Sequence, residues 1–156
     1  MIFGVLKDIK EGEYRVICTP MEVASIVGAG HTVLVEKGCG AKAGFPDEAY
    51  AKMGATVVET AKEMWERCDF LAKVKEIEPS EYGYLREGQM IYCCIHPAGH
   101  PEEVQAILDS KCIAITAEDS HRFGSPNCEA AGKQGALFGL ESMLTINGGK
   151  GKFVGG

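Results

Sequence analysis

Five polar side chains in this sequence could serve one small-molecule site: Arg15, Lys75, Glu76, His96 and Glu118. The guanidinium of Arg15 can bind a carboxylate through two parallel hydrogen bonds. Lys75 can polarise a carbonyl or hold a second carboxylate oxygen, and the imidazole of His96 suits general acid–base catalysis. The carboxylates of Glu76 and Glu118 could adjust the electrostatic environment of Lys75 and His96. The set predicts a site for a small 2-oxo or 2-amino acid.

Lys75, His96 and Arg15 each also have a purely structural interpretation. A lysine after a strand is commonly solvated, and a histidine in such a loop often bonds only to backbone. Arg15 follows Glu13 closely enough to form an ordinary surface ion pair with it, which would contribute little. Convergence of the side chains on one place would favour the functional interpretation.

The chain alternates short apolar runs with helix signals, which predicts six strands interleaved with helices. The strands are expected at 2–6, 32–36, 55–58, 70–74, 90–95 and 112–116. Helix starts are indicated by caps, capping boxes or prolines at Thr19–Pro20–Glu22, Pro46, Thr60 with Glu63, Pro101, and Ser125–Pro126, the last helix running to about Leu144. This pattern predicts a three-layer α/β fold of the Rossmann/flavodoxin-like type, with a mostly parallel six-stranded sheet and helices on both faces.

Such a fold would bring the candidate residues together. Open parallel sheets carry their functional groups beyond the carboxyl ends of the strands. Lys75, His96 and Glu118 follow the fourth, fifth and sixth predicted strands, and Arg15 lies in the loop after the first. We therefore expect all four at one sheet edge.

Two other patterns could suggest a cofactor or a metal. The segment Gly38–Gly44 follows a strand, but its third glycine is one residue too late for a dinucleotide loop and Phe45–Pro46 interrupts the expected helix. His96, His100 and His121 could be the metal ligands of a metal-dependent enzyme. However, prolines and a glycine break any helix between the first two histidines. We expect neither a cofactor-binding motif nor a metal site in this chain.

Composition excludes several classes of function. The chain has 156 residues, with 16 basic and 22 acidic side chains giving a net charge of −6, and its basic residues are scattered. Nucleic-acid binding needs a basic patch, so it is not expected. No apolar run approaches the ~20 residues of a membrane span, residues 1–10 do not resemble a signal peptide, and the seven cysteines form no CxxC pair. We expect a cytoplasmic protein with reduced cysteines.

Several segments resemble a known family. They are 4–10, Glu13–Tyr14–Arg15–Val16, Thr19–Pro20, 30–38, Gly54–Ala55, and above all Leu71–Ala72–Lys73–Val74–Lys75–Glu76 with 85–89. Across nearly its whole length the chain resembles the N-terminal, substrate-binding domain of the alanine dehydrogenase and transhydrogenase superfamily, which includes saccharopine dehydrogenase and carboxyethylornithine synthase. The lysine and histidine favour the amino-acid dehydrogenase branch.

The resemblance implies roles for the candidate residues. Arg15 corresponds to the substrate-carboxylate arginine, Lys75 to the substrate-binding and catalytic lysine, and His96 to the catalytic histidine. In the family, hydride passes from the amino-acid Cα to NAD, and the histidine handles protons on water or the carbinolamine. We expect a substrate domain over 1–146 and a glycine-rich linker over 147–156. NAD(H) is expected on a missing domain or a separate NAD-binding subunit, so the chain alone should be inactive.

The sequence departs from the family at His96–Pro97–Ala98–Gly99 and over 126–132. Glu118–Asp119 and the segment Asn127–Gly132 resemble the saccharopine and opine-type relatives more closely, which leaves the substrate open between alanine and larger amino acids. Another open alternative is a stand-alone module that binds or senses a small carboxylate or amino acid. We also expect a homo-oligomer.

Overall fold

The computed structural model describes residues 1–117, 120 and 125–151, with only the backbone of Pro126. The chain divides into two compact units, Met1–Asp119 and Ser120–Gly156. The described strands are β1 Ile2–Val5, β2 Thr32–Glu36, β3 Thr56–Val58, β4 Phe70–Ala72, β5 Met90–Cys93 and β6 Ile113–Thr116. The described α-helices are α1 Pro20–Gly28, α2 Asp47–Lys52, α3 Ala61–Arg67, α4 Pro101–Ser110 and α5 Pro126–Ser142, the last in the second unit.

The strands form one parallel sheet in the order β3-β2-β1-β4-β5-β6. In this doubly wound order, β2 and β3 are added on one side of β1, and β4, β5 and β6 are added on the other. Ligands of such sheets bind at the switch point between β1 and β4. Val5 at the end of β1 pairs with Ala72 at the end of β4. The loops that follow these two strands therefore start side by side.

Alternate residues of β2 place the core on both faces of the sheet. Val33 and Val35 pack with Val23 of α1 and Tyr50 of α2. Leu34, between them, faces the opposite way and packs with Met64 and Trp65 of α3, and Ile107 of α4 joins this second cluster. The predicted three-layer α/β fold, with helices on both faces of a six-stranded sheet, is confirmed.

The helix starts follow the local signals with one difference. Thr19 and Glu22 form the expected capping box, in which the Glu22 carboxylate accepts the Thr19 N–H at 2.8 Å. At α3, Thr60 Oγ1 accepts the Glu63 N–H at 3.3 Å, but the Glu63 carboxylate pairs with Arg67 one turn later. The expected reciprocal bond there is wrong because a charged i,i+4 partner competes for the same carboxylate.

The neighbouring strands β4 and β5 end at Ala72 and Cys93, each two residues earlier than expected. Hydrogen bonds from Lys73 N–H to the Tyr92 carbonyl and from Cys94 N–H to the Val74 carbonyl continue the ladder. The next N–H, that of Lys75, donates instead to Asp8 at 2.7 Å. The chain therefore leaves the sheet just before the candidate lysine. Among the described helices, none is both long and apolar enough to cross a bilayer.

Candidate functional site

The carboxylate of Asp8 joins the two loops at the switch point. Its Oδ2 accepts the Lys75 N–H at 2.7 Å, and its Oδ1 accepts the Lys10 N–H at 3.1 Å. The loop after β1, which carries Arg15, is thereby attached to the start of the loop after β4. This arrangement is built from residues 67 positions apart in the chain.

Arg15 is held by Glu13. Its Nε donates to Glu13 Oε1 at 2.8 Å and its Nη2 donates to Oε2 at 2.6 Å, while its backbone N–H also donates to Oε1 at 2.9 Å. The hydrogen bonds from Arg15 lower the pKa of Glu13, and the charge of the nearby Lys75 lowers it further. The side chain of Arg15 is 51% exposed and that of Glu13 only 8%. The loops that carry Arg15 and Lys75 thus meet at one edge of the sheet.

His96 lies three residues beyond the end of β5, the strand next to β4. Its side chain is exposed, and its carbonyl accepts the Gly99 N–H at 2.9 Å in a tight turn. His96 has a positive φ of 49° and precedes Pro97. A left-handed conformation costs a non-glycine residue roughly 1–2 kcal/mol, and such strain is concentrated at functional sites.

Of the remaining predicted residues, Glu76 pairs with a different lysine and Glu118 lies outside the described residues. Glu76 is buried, and its carboxylate pairs with Lys10 and lies 3.6 Å from His100 Nε2. Glu118 lies outside the described residues, as does His121 of the metal alternative. Within the described ranges no three His, Cys, Asp or Glu side chains are grouped so that they could hold a metal ion.

The site loops border two clefts. One has a volume of about 360 Å³ and is lined by residues of the β1 loop, including Lys7, Asp8, Glu13 and Arg15, together with Lys42. The second, of about 940 Å³, is lined by residues that include Glu76 and His100, and shares Ile9–Glu11 with the first. The smaller cleft has space for a compact carboxylic acid beside Arg15.

A buried ion pair below the site was not foreseen. Lys73 Nζ lies 2.6 Å from Glu81 Oε2, with side-chain exposures of 0% and 5%. The same Glu81 oxygen accepts the Glu78 N–H at 2.8 Å. Lys73 stands two residues before Lys75 in one motif, and composition alone cannot separate a buried lysine from an accessible one. The only available signal was its position inside an otherwise apolar run.

Known proteins share this architecture. The family model described as "Alanine dehydrogenase/PNT, N-terminal domain" matches residues 4–126. Alanine dehydrogenase of Bacillus subtilis is 38% identical over 161 residues, which is 100% of this chain and 42% of that protein. Alanine dehydrogenase of Methanococcus maripaludis is 37% identical over 162 residues, 100% of this chain and 43% of that protein.

Solved structures give the same result. A structure titled L-alanine dehydrogenase superposes with a TM-score of 0.88 at 34% identity, covering 100% of this chain and 45% of that chain. A transhydrogenase from Sinorhizobium meliloti shares the fold, with a TM-score of 0.74 at 24% identity over 93% of this chain and 43% of that one. The chain spans less than half the length of these relatives. It belongs to the alanine dehydrogenase/PNT family and matches its N-terminal domain.

Proposed function

We propose that this chain is the substrate-binding lobe of an alanine dehydrogenase-like enzyme, which interconverts a small L-amino acid and its 2-oxo acid. The observation that supports the proposal most is that the loops carrying Arg15 and Lys75 meet at the switch point, where Asp8 accepts the Lys75 backbone N–H and Glu13 pairs with Arg15. A guanidinium that binds carboxylates and an ammonium from the adjoining loop would fit the two ends of a 2-oxo acid. The family membership adds to this support.

The residues divide the work by chemistry. The guanidinium of Arg15 would bind the substrate carboxylate through two hydrogen bonds, and the Lys75 ammonium would orient and polarise the 2-oxo group. His96, in its exposed turn at the neighbouring strand end, would take up and release protons at the reacting carbon's substituents. NAD(H), bound by another domain or chain, would supply hydride transfer.

The cleft beside Arg15 limits the class of substrate. A volume of about 360 Å³ suits an acid of a few carbons. In that cleft the cations Lys7, Lys10, Arg15 and Lys42 outnumber the anions Asp8, Glu11 and Glu13 by one, so a monoanion would be attracted. Pyruvate, a small monoanion, is therefore the ligand to test first, and the zwitterion L-alanine is the second.

Binding calorimetry of the 156-residue chain with pyruvate tests the proposal. We expect saturable one-to-one binding that Lys75→Ala and Arg15→Ala abolish, since each removes a charged partner of the ligand. Lys62→Ala, which removes an exposed cation of α3, is the charge-matched control and should bind like the wild type. Absence of binding by the wild type, or unchanged binding by both site variants, would refute the proposal.

A further inference from the structure

The contact between Glu13 and Arg15 is more specific than a surface ion pair. We infer that Glu13 is a positioning residue, which fixes the plane of the Arg15 guanidinium so that its second edge receives the substrate carboxylate. The inference rests on the proposed function, because it assumes that Arg15 binds that carboxylate. It assigns a role to Glu13 that the sequence alone did not suggest.

The stereochemistry of the guanidinium supports this role. A guanidinium carries five N–H donors in a planar fork, with two edges that can each accept a carboxylate. Glu13 occupies the edge formed by Nε and Nη2, at 2.8 and 2.6 Å. The edge formed by Nη1 and Nη2 is then left for a second carboxylate. A substrate can therefore bind Arg15 while Glu13 stays in place.

The burial of the two partners shows which one is the anchor. The side chain of Glu13 is 8% exposed, whereas that of Arg15 is 51% exposed. Glu13 Oε1 is also fixed by the Arg15 backbone N–H at 2.9 Å. An ordinary surface pair in this chain, Lys37 with Glu59, has exposures of 56% and 72%, and such pairs contribute little. Glu13 thus holds an accessible cation from an enclosed position.

An opposite role for Glu13 predicts the opposite result. If the Glu13 carboxylate occupied the place of the substrate carboxylate, it would have to leave Arg15 before a ligand could bind. Replacing Glu13 would then tighten ligand binding. Its enclosure and its third hydrogen bond oppose such a displacement. The positioning role instead predicts weaker binding when the carboxylate is lost, because Arg15 must then be ordered by the ligand at an entropic cost.

Pyruvate binding to the full chain distinguishes these roles. We expect Glu13→Ala to weaken binding about tenfold. The affinity of Glu13→Gln for pyruvate should lie between those of the wild type and Glu13→Ala, because the amide oxygen still accepts one hydrogen bond from Arg15. Glu66→Gln removes an exposed charge of α3 that lines neither cleft and should stay within about twofold of the wild type. Equal or tighter binding by Glu13→Ala would overturn the inference.

A measurement without ligand separates this inference from the proposed function. The Arg15 Nε–H proton, observed by NMR, should exchange slowly with water in the wild type and rapidly in Glu13→Ala. Thermal unfolding of the variant confirms that the fold is kept. If the wild type does not bind pyruvate, the proposed function fails. If Arg15 Nε–H exchange is the same in both proteins, the positioning role fails, whatever the ligand result.

Discussion

Removing one partner of the buried Lys73–Glu81 pair should cost a large part of the stability of the chain. The two charged atoms lie 2.6 Å apart with side-chain exposures of 0% and 5%. At an effective dielectric constant of 20 their gross attraction is about 6 kcal/mol, most of which offsets the desolvation of both ions. Lys73→Met leaves the Glu81 carboxylate buried without this cation. We expect a loss of about 3–5 kcal/mol from a total of typically 5–15 kcal/mol.

Urea unfolding, followed by circular dichroism, measures this loss directly. The matched control is Lys37→Met, because Lys37 and Glu59 form an exposed pair at 2.9 Å. That change should cost less than about 1 kcal/mol. A second variant, Lys73→Met with Glu81→Gln, leaves a neutral pair and keeps an acceptor for the Glu78 N–H. It should recover much of the lost stability, since no unpaired charge remains.

Two outcomes would refute this reasoning. One is a Lys73→Met variant no less stable than the Lys37→Met control, which would mean that Lys73 is not a desolvated partner of Glu81. The other is a double variant whose loss of stability equals the sum of the losses measured for Lys73→Met and Glu81→Gln separately. Additivity would show that the two side chains do not interact energetically.

Three further changes test the packing, the backbone and the electrostatics of the first unit by urea unfolding. Lys111→Gly should stabilise the chain by about 0.5–1 kcal/mol, because this residue ends α4 with a φ of 55°. Gly4→Ala should cost about 1–3 kcal/mol, since its Cβ would lie 2.6 Å from Cys68 Sγ and Leu71 Cδ2. Glu103→Gln should flatten the pH dependence of stability. Burial raises the pKa of Glu103, so this group favours folding at low pH and opposes it as pH rises through the folded-state pKa.

Each of these changes has a result that would contradict it. A Lys111→Gly variant that is less stable than the wild type would argue against relief of backbone strain. Gly4→Ala at wild-type stability would mean that the core around β1 yields easily. For Glu103→Gln, the stability relative to the wild type should increase as the pH rises above about 4.5, the ordinary pKa of glutamate. If the stability difference between Glu103→Gln and the wild type does not change with pH, the buried carboxylate is not the cause of the pH dependence.

The alternation of strands and helices was available from the amino-acid order because its signals are local. Thr19, Pro20 and Glu22 start α1 through contacts within one turn, and each strand is a short apolar run. The rule that parallel strands expose function at their carboxyl ends then selected Arg15, Lys75 and His96. Their places after β1, β4 and β5 agree with that selection, while their roles remain predictions.

The partners of these side chains were decided by the tertiary structure. The pairing of β1 with β4 joins segments more than sixty residues apart, and it alone brings Asp8 to the Lys75 backbone. Of the two alternate lysines, Lys73 is fully buried against Glu81, whereas Lys75 is half-buried at the edge of the sheet. Local sequence specifies where an element starts and which face is apolar. Which carboxylate meets which cation depends on strand order and desolvation, which exist only in the folded chain.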